Sequence, residues 1–188
     1  MEKKRIIAER ERKEIGGSPK VFRYWDDSES NHIDILSSAD RPCRGAVSYA
    51  TIGLSEYDAG LFACGKRLGV ELLGACGAGE PSFANMLASA AFAVMKSGKC
   101  SYGDIIPDII AGYGNDTEMK HFFLTNPFLW DGFGTLESED RLTAWLPVVP
   151  ISDSEKDYAD ENGWETLEDK FEECGIDILD PERKPVFA

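Results

Sequence analysis

Histidine, cysteine and carboxylate side chains carry most proton transfer, nucleophilic attack and metal ligation, and in this 188-residue chain they fall into no catalytic spacing. His32 and His121 each lie inside a strand-like run with no second His or Cys at ligand spacing. That leaves little room for a histidine-based triad or a zinc site. Cys43, Cys64, Cys76, Cys100 and Cys174 are scattered, form no CxxC pair and are odd in number. The pattern predicts reduced, mostly buried thiols rather than a disulfide framework. GxSxG, HExxH and P-loop patterns are absent. Gly74, Gly77 and Gly79 have the wrong spacing for a dinucleotide fingerprint and read as a strand-to-helix connection. No catalytic residue, metal or cofactor is assigned.

The carboxylates carry a different signal. Asp and Glu number 34 against 20 Lys and Arg, for a net charge of −14. Such a molecule repels phosphate backbones and anionic lipid, so direct nucleic-acid and membrane-surface binding are disfavoured and cationic partners are favoured. Residues 150–173 hold ten acids and two bases. Asp153, Glu155, Asp157, Tyr158, Asp160, Glu161 and Glu165 of this stretch, with Asp26, Asp27 and Glu29 of the acidic turn 26–31, are the candidate partner-binding residues. The same acids also serve as the polar outer face of two short helices. Asp34 and Glu71 interrupt apolar strands, where alternation places them on the wet side of a sheet or against a partner. Tyr24, Trp25, Phe128, Trp130, Tyr158 and Trp164 lie close to acids in sequence, as anchors for a basic protein would, or as core residues.

The elements that position these residues follow from periodicity. Residues 2–15 read as a charged helix with a thin stripe of Ile6, Ile7 and Ala8, stopped by Gly16 and Gly17. Its local net charge is +3 over residues 1–20, and one economical arrangement lays it beside the acidic C-terminal region. Strands are predicted at 21–25, 32–37, 46–54, 68–76, 120–130 and 142–152, with prolines ending or bending the last two. Residues 104–110, with Pro107, read as an edge or bent segment. Residues 83–96 are apolar on nearly every face and form a buried central helix, with Ser82 as N-cap and Gly98 beyond its end. Ser152 to Glu155 has the capping-box pattern, followed by an apolar face of Trp164, Leu167 and Phe171. Residues 175–180 read as a last short strand. The fold class is α+β: a mixed, largely antiparallel sheet covered by the central helix, with an N-terminal helix and two acidic C-terminal helices. The N-terminus lacks the apolar core of a signal peptide, and residues 82–95 are too short to span a bilayer. A soluble cytoplasmic protein is expected.

The runs HFFLTNPFLWDGF and WLPVVPISDSEKDYADENGWETLEDKFEECGIDILDPERKPV closely resemble the suppressor-of-fused-like domain. The shared pattern is an apolar strand ending in Pro-Phe-x-Trp and a second ending in Pro-Ile-Ser. An acid-rich helix with Glu155 and Tyr158, Gly163, a Leu/Phe-bearing helix and a closing Asp180-x-x-Arg183 follow. SPKVFRYWDDSESNHIDIL, SYATIGLSEY and GVELLGA also look like the bacterial branch. The resemblance runs from residue 15 onward and implies one such domain over 1–188. It implies an immunity protein, the antitoxin of an LXG-type polymorphic toxin, acting by stoichiometric binding without turnover. The cognate toxin would be a basic protein, in many such systems a nuclease. The two-lobed animal member grips a transcription-factor segment between its lobes. This chain has the length of one lobe, so that mode and its residues do not transfer. An intracellular peptide-binding scaffold and, less favoured, an enzyme remain as alternatives.

Overall fold

In the computed structural model, which describes residues 2–114 and 117–187, four helices and nine strands build an α+β fold. In chain order they are α1 (Glu2–Ile15), β1 (Lys20–Trp25), β2 (His32–Ala39), β3 (Ala46–Ile52), β4 (Phe62–Ala63) and β5 (Lys66–Gly77). Then follow α2 (Phe83–Ser97), β6 (Ile105–Ile106), β7 (Met119–Leu124), β8 (Leu136–Glu137), β9 (Arg141–Ser152), α3 (Asp153–Asn162) and α4 (Trp164–Cys174). The sheet runs β1-β2-β3-β5-β9-β7-β6, with the short β4 and β8 on β5 and β9. Every pairing is antiparallel except β5 with β9.

Strand alternation sorts the core into two layers. Ile33, Ile35, Leu72, Phe122, Leu146 and Val148 face α2, where Phe83, Leu87 and Ala91 are buried. Their chain neighbours face the other way. Leu36, Leu73 and Trp145 meet α1 through Ile7 and Ile15, with Trp130 and Phe133 of the 125–135 connection. Phe123, Val149 and Ile151 meet α3 and α4 through Ala159, Leu167 and Phe171. Helix α1 therefore covers one half of this face and the acidic helices cover the other half. Among the described residues its cross-chain side-chain ties are Lys3 to Asp140 at 3.0 Å, Arg10 to the Gly132 carbonyl at 2.6 Å and Glu11 to Trp145 Nε1 at 3.0 Å, rather than bonds to the acidic stretch.

Strand β9 passes through both of its prolines because it changes partner midway. Residues 141–147 pair with β5 and residues 148–152 with β7. The carbonyl of Pro150 accepts from Arg183 Nη2 at 2.8 Å. The nitrogen of an extended residue lies on the same side as its carbonyl, so the missing N–H faces Arg183 and not the β7 ladder.

Several expectations are corrected. Glu71 is on no wet face: it is completely buried on the α1 side. Its carboxylate gathers five donors, the hydroxyls of Thr51 and Ser55 and the backbone N–H groups of Gly53, Leu54 and Ser55, at 2.6–3.1 Å. It thereby ties β3 and the turn after it to β5. The buried stripe of α1 is Ile7, Glu11 and Ile15, spaced by four, while Ile6 is exposed. Residues 175–180 form turns, not a strand, since Asp177 and Asp180 side chains cap the N–H groups of Leu179 and Glu182 at 2.9 Å. Cys76 and Cys100 are buried, whereas Cys43, Cys64 and Cys174 are exposed free thiols. Gly74 and Gly77 belong to β5 itself, and Gly74 lies under the Phe83 ring of α2. Ser82 makes no side-chain cap bond, and Gly98, with φ of 70°, ends α2.

Candidate partner-binding surface

The candidate acids fall on two separate surfaces. Asp26, Asp27 and Glu29 occupy the β1–β2 turn at one end of the sheet. Asp26 is committed to that turn: its carboxylate accepts from Ser30 N, Ser28 Oγ and Asn31 Nδ2 at 2.7–3.0 Å. These bonds hold its pKa below the ordinary carboxylate value, the Asn31 amide foremost. Asp27 and Glu29 are exposed, Glu29 in the left-handed region with φ of 53°.

The second surface is built by α3 and α4. Ser152 starts α3 with a complete capping box, its hydroxyl accepting from Glu155 N at 3.2 Å and its own N–H donating to Glu155 Oε2 at 3.0 Å. This geometry turns Glu155 inward. It is fully buried and grips Arg183 through both carboxylate oxygens, at 2.7 and 2.8 Å. Val186 N adds a third contact at 3.0 Å, and the Arg183 guanidinium lies 5.2 Å over the Phe171 ring. Glu155 is therefore part of the interior, where the Asp180-x-x-Arg183 turn closes the chain. Tyr158 is half-buried and stacks on Phe187 with ring centroids 4.1 Å apart. Asp153 is engaged by Lys120 and by His121 Nε2 at 3.0 Å, and Asp160 pairs with Lys156 at 2.5 Å. His121 is buried, with Nδ1 accepting from Asp108 N at 2.9 Å, so it holds the β7 edge together. His32 leans on Trp25 with ring centroids 4.9 Å apart, and Asp34 pairs with Arg23 across β1–β2 at 2.8 Å.

What remains outward is Asp157, Glu161 and Glu165, joined by Asp169 and Glu172, all exposed. Among the described residues none of these five is in an ion pair. Asp157 and Glu161 share a helix face one turn apart, where like charges repel, and Gly163 breaks the helix so that Glu165 follows at the start of α4. This ridge sits on a rigid base of Leu167 and Phe171 over Phe123 and Ile151. Among the described residues no cluster of three or more His, Cys, Asp or Glu is arranged to hold a metal ion, and no helix is long and apolar enough to cross a membrane.

Sequence reasoning missed one feature of α4. Glu168 lies beside Leu167 and on the flank of Phe171, and it points into a groove of about 370 Å³ between α4 and the end of β7. The Leu167/Phe171 spacing marked the buried face, but nothing in the spacing distinguished Glu168 from the solvated acids around it.

A mixed sheet with one central helix on one face, and a capped acidic helix pair on the other, defines the class. The family model for suppressor of fused protein matches residues 29–184, and the chain belongs to that family. Among individual proteins, it is 37% identical over 174 residues to "Immunity protein YqcF" of Bacillus subtilis (strain 168), covering 92% of this chain and 91% of that one. A solved suppressor-of-fused homologue from Neisseria gonorrhoeae superposes with a TM-score of 0.77 at 16% identity, over 100% of this chain and 98% of that chain. A chain of a Sufu–Fu complex gives 0.70 at 13% identity, over 98% and 92%. Drosophila suppressor of fused gives 0.58 at 15% identity over 89% of this chain and 42% of its own, so this chain spans less than half of that protein. At these identities the solved structures speak to fold alone.

Proposed function

We propose that this protein is an immunity protein that neutralises a cognate toxin in the cytoplasm by forming a stoichiometric complex, without turning over a substrate. The end-to-end relationship to the Bacillus subtilis immunity protein, 37% identical over 92% of this chain, carries the reading. The unpaired acids Asp157, Glu161 and Glu165 on a rigid helix pair support a basic partner surface, of the kind a nuclease uses to hold phosphate. Long-range attraction between such surfaces raises association rates by roughly 10- to 1,000-fold. Speed matters here, because the toxin must be captured before it damages the producing cell.

A second reading is a peptide-binding scaffold. It is favoured by the outer edge of β1, the end strand of the sheet, along which Val21, Phe22 and Trp25 are exposed. Co-expression separates the two. The chain should rescue cells from the toxin encoded beside it and co-purify with it at one to one. Failure to rescue sinks the immunity reading.

A further inference from the structure

The groove beside α4 holds an uncompensated negative charge in an aromatic setting. Its walls include Tyr102, Phe123, Phe128 and Phe171, with Glu168 and Glu172 along one side. Glu168 is fixed in place, one carboxylate oxygen receiving the Tyr102 hydroxyl and the other the Thr125 hydroxyl. Both donors are neutral. Burial, then Glu168 itself, push the Tyr102 phenol up to about 12, so it stays a donor. Tyr102 is in turn held by Trp164, with ring centroids 4.3 Å apart. Glu172 lies one helical turn from Glu168, where two carboxylates repel. Among the described residues neither has an ion pair, although Lys156 and Lys170 pair with acids elsewhere on these helices. Phe128, at the rim, is 53% exposed. A fixed carboxylate with a second one a helical turn away, neither in an ion pair among the described residues and both beside aromatic rings, is complementary to a planar cation on an apolar stem.

We propose that this groove seats one arginine side chain of a basic partner protein. The guanidinium meets Glu168 and Glu172, and the stem and cation face lie against Phe128 and Tyr102. Arginine fits better than lysine because its fork can bond both carboxylates while its plane stacks on a ring. The partner in question is the toxin of the preceding reading, on which this inference rests, but the groove can be tested without it.

The test titrates the full chain with N-acetyl-argininamide and with the neutral isostere N-acetyl-citrullinamide, followed by NMR. The arginine probe should shift Phe128, Glu168 and Ile176 resonances saturably, and the citrulline probe should not. Glu168→Gln, which keeps one acceptor oxygen and sets an NH2 donor against the second hydroxyl, and the exposed Glu172→Gln should each weaken arginine binding by roughly tenfold, the worth of one charge-assisted bond. No saturable shift, equal binding of citrullinamide, or unchanged binding in Glu172→Gln and Phe128→Ala overturns the site. With toxin in hand the two readings part. Full rescue with toxin affinity unchanged in Glu172→Gln and Phe128→Ala overturns the arginine seat and leaves immunity standing. Argininamide binding by a chain that fails to rescue overturns immunity, and with it the toxin as occupant.

Discussion

Glu11, Glu71 and Glu155 are all fully buried, and their partners differ. Glu155 is neutralised by Arg183 through two oxygens. Glu71 lacks a cation, yet its five donors oppose the burial that raises its pKa. Glu11 has one donor, Trp145 Nε1 at 3.0 Å, and its Oε2 has no hydrogen-bond partner. Burial, then the nearby Glu71 charge, push Glu11 well above its ordinary value of 4.5. The folded state therefore holds this proton more tightly than the unfolded state. The stability it contributes is complete below about 4.5 and is lost as pH rises through the folded value. Each pH unit between the two values is worth about 1.4 kcal/mol. Glu11→Gln should accordingly stabilise the protein at pH 8 and change it little at pH 4.5, as read by urea unfolding at both values. A variant as stable as the parent at pH 8 would show that the side chain is already solvated there. Arg183 gives the opposite case: Arg183→Met leaves Glu155 buried without its counter-ion and should cost about 3–5 kcal/mol in the same assay. None of these roles was legible in sequence. Glu155 sits in a row of acids identical in type, and only the Ser152 capping box hinted that it turns inward.

At the scale of elements, helix and strand positions were readable because their periods are strong. The apolar run of α2, the capping box of α3 and the apolar, β-rich runs of β2, β3 and β5 each point to one type of element. The misses came where local side-chain chemistry competes with period. Residues 175–180 have a strand-like composition, but Asp177 and Asp180 divert the backbone into turns. Strand β9 keeps its extended path through two prolines because its partner changes, which no single-sequence pattern encodes. Helix α2 reaches β5 only because position 74 lacks a side chain: a Cβ there would come within 2.5 Å of the Phe83 ring. Gly74→Ala should therefore push α2 off the sheet and cost roughly 1–3 kcal/mol, as overpacked cores do. The accompanying sign is faster amide exchange in α2. Unchanged stability and exchange would show that Phe83 can swing aside, and that the fit of helix on sheet is looser than this contact implies.

For the whole molecule, the net charge of −14 was plain in the sequence, but its division in space was not. The β1–β2 turn and the α3–α4 ridge are separated by four strand positions of the sheet, about 19 Å at ordinary strand spacing. That exceeds the Debye length of about 8 Å at physiological salt, so the two surfaces steer a partner independently, and each can be tested alone. Asp26 is spent on its own turn and Asp27 and Glu29 stand by themselves, whereas α3 and α4 present five acids without counter-ions. Steering should therefore come from the ridge. The triple change Asp157→Asn, Glu161→Gln, Glu165→Gln should slow association with a basic toxin by roughly tenfold in low salt and flatten its salt dependence, with little change in dissociation. The double change Asp27→Asn, Glu29→Gln should leave the association rate within about twofold, because rim charges this isolated add little to the summed field. Stopped-flow rates across a salt series decide it. If the turn variant is the slower one, the docking face is the β1 end of the sheet, and the acid ridge serves only to keep two amphipathic helices in water.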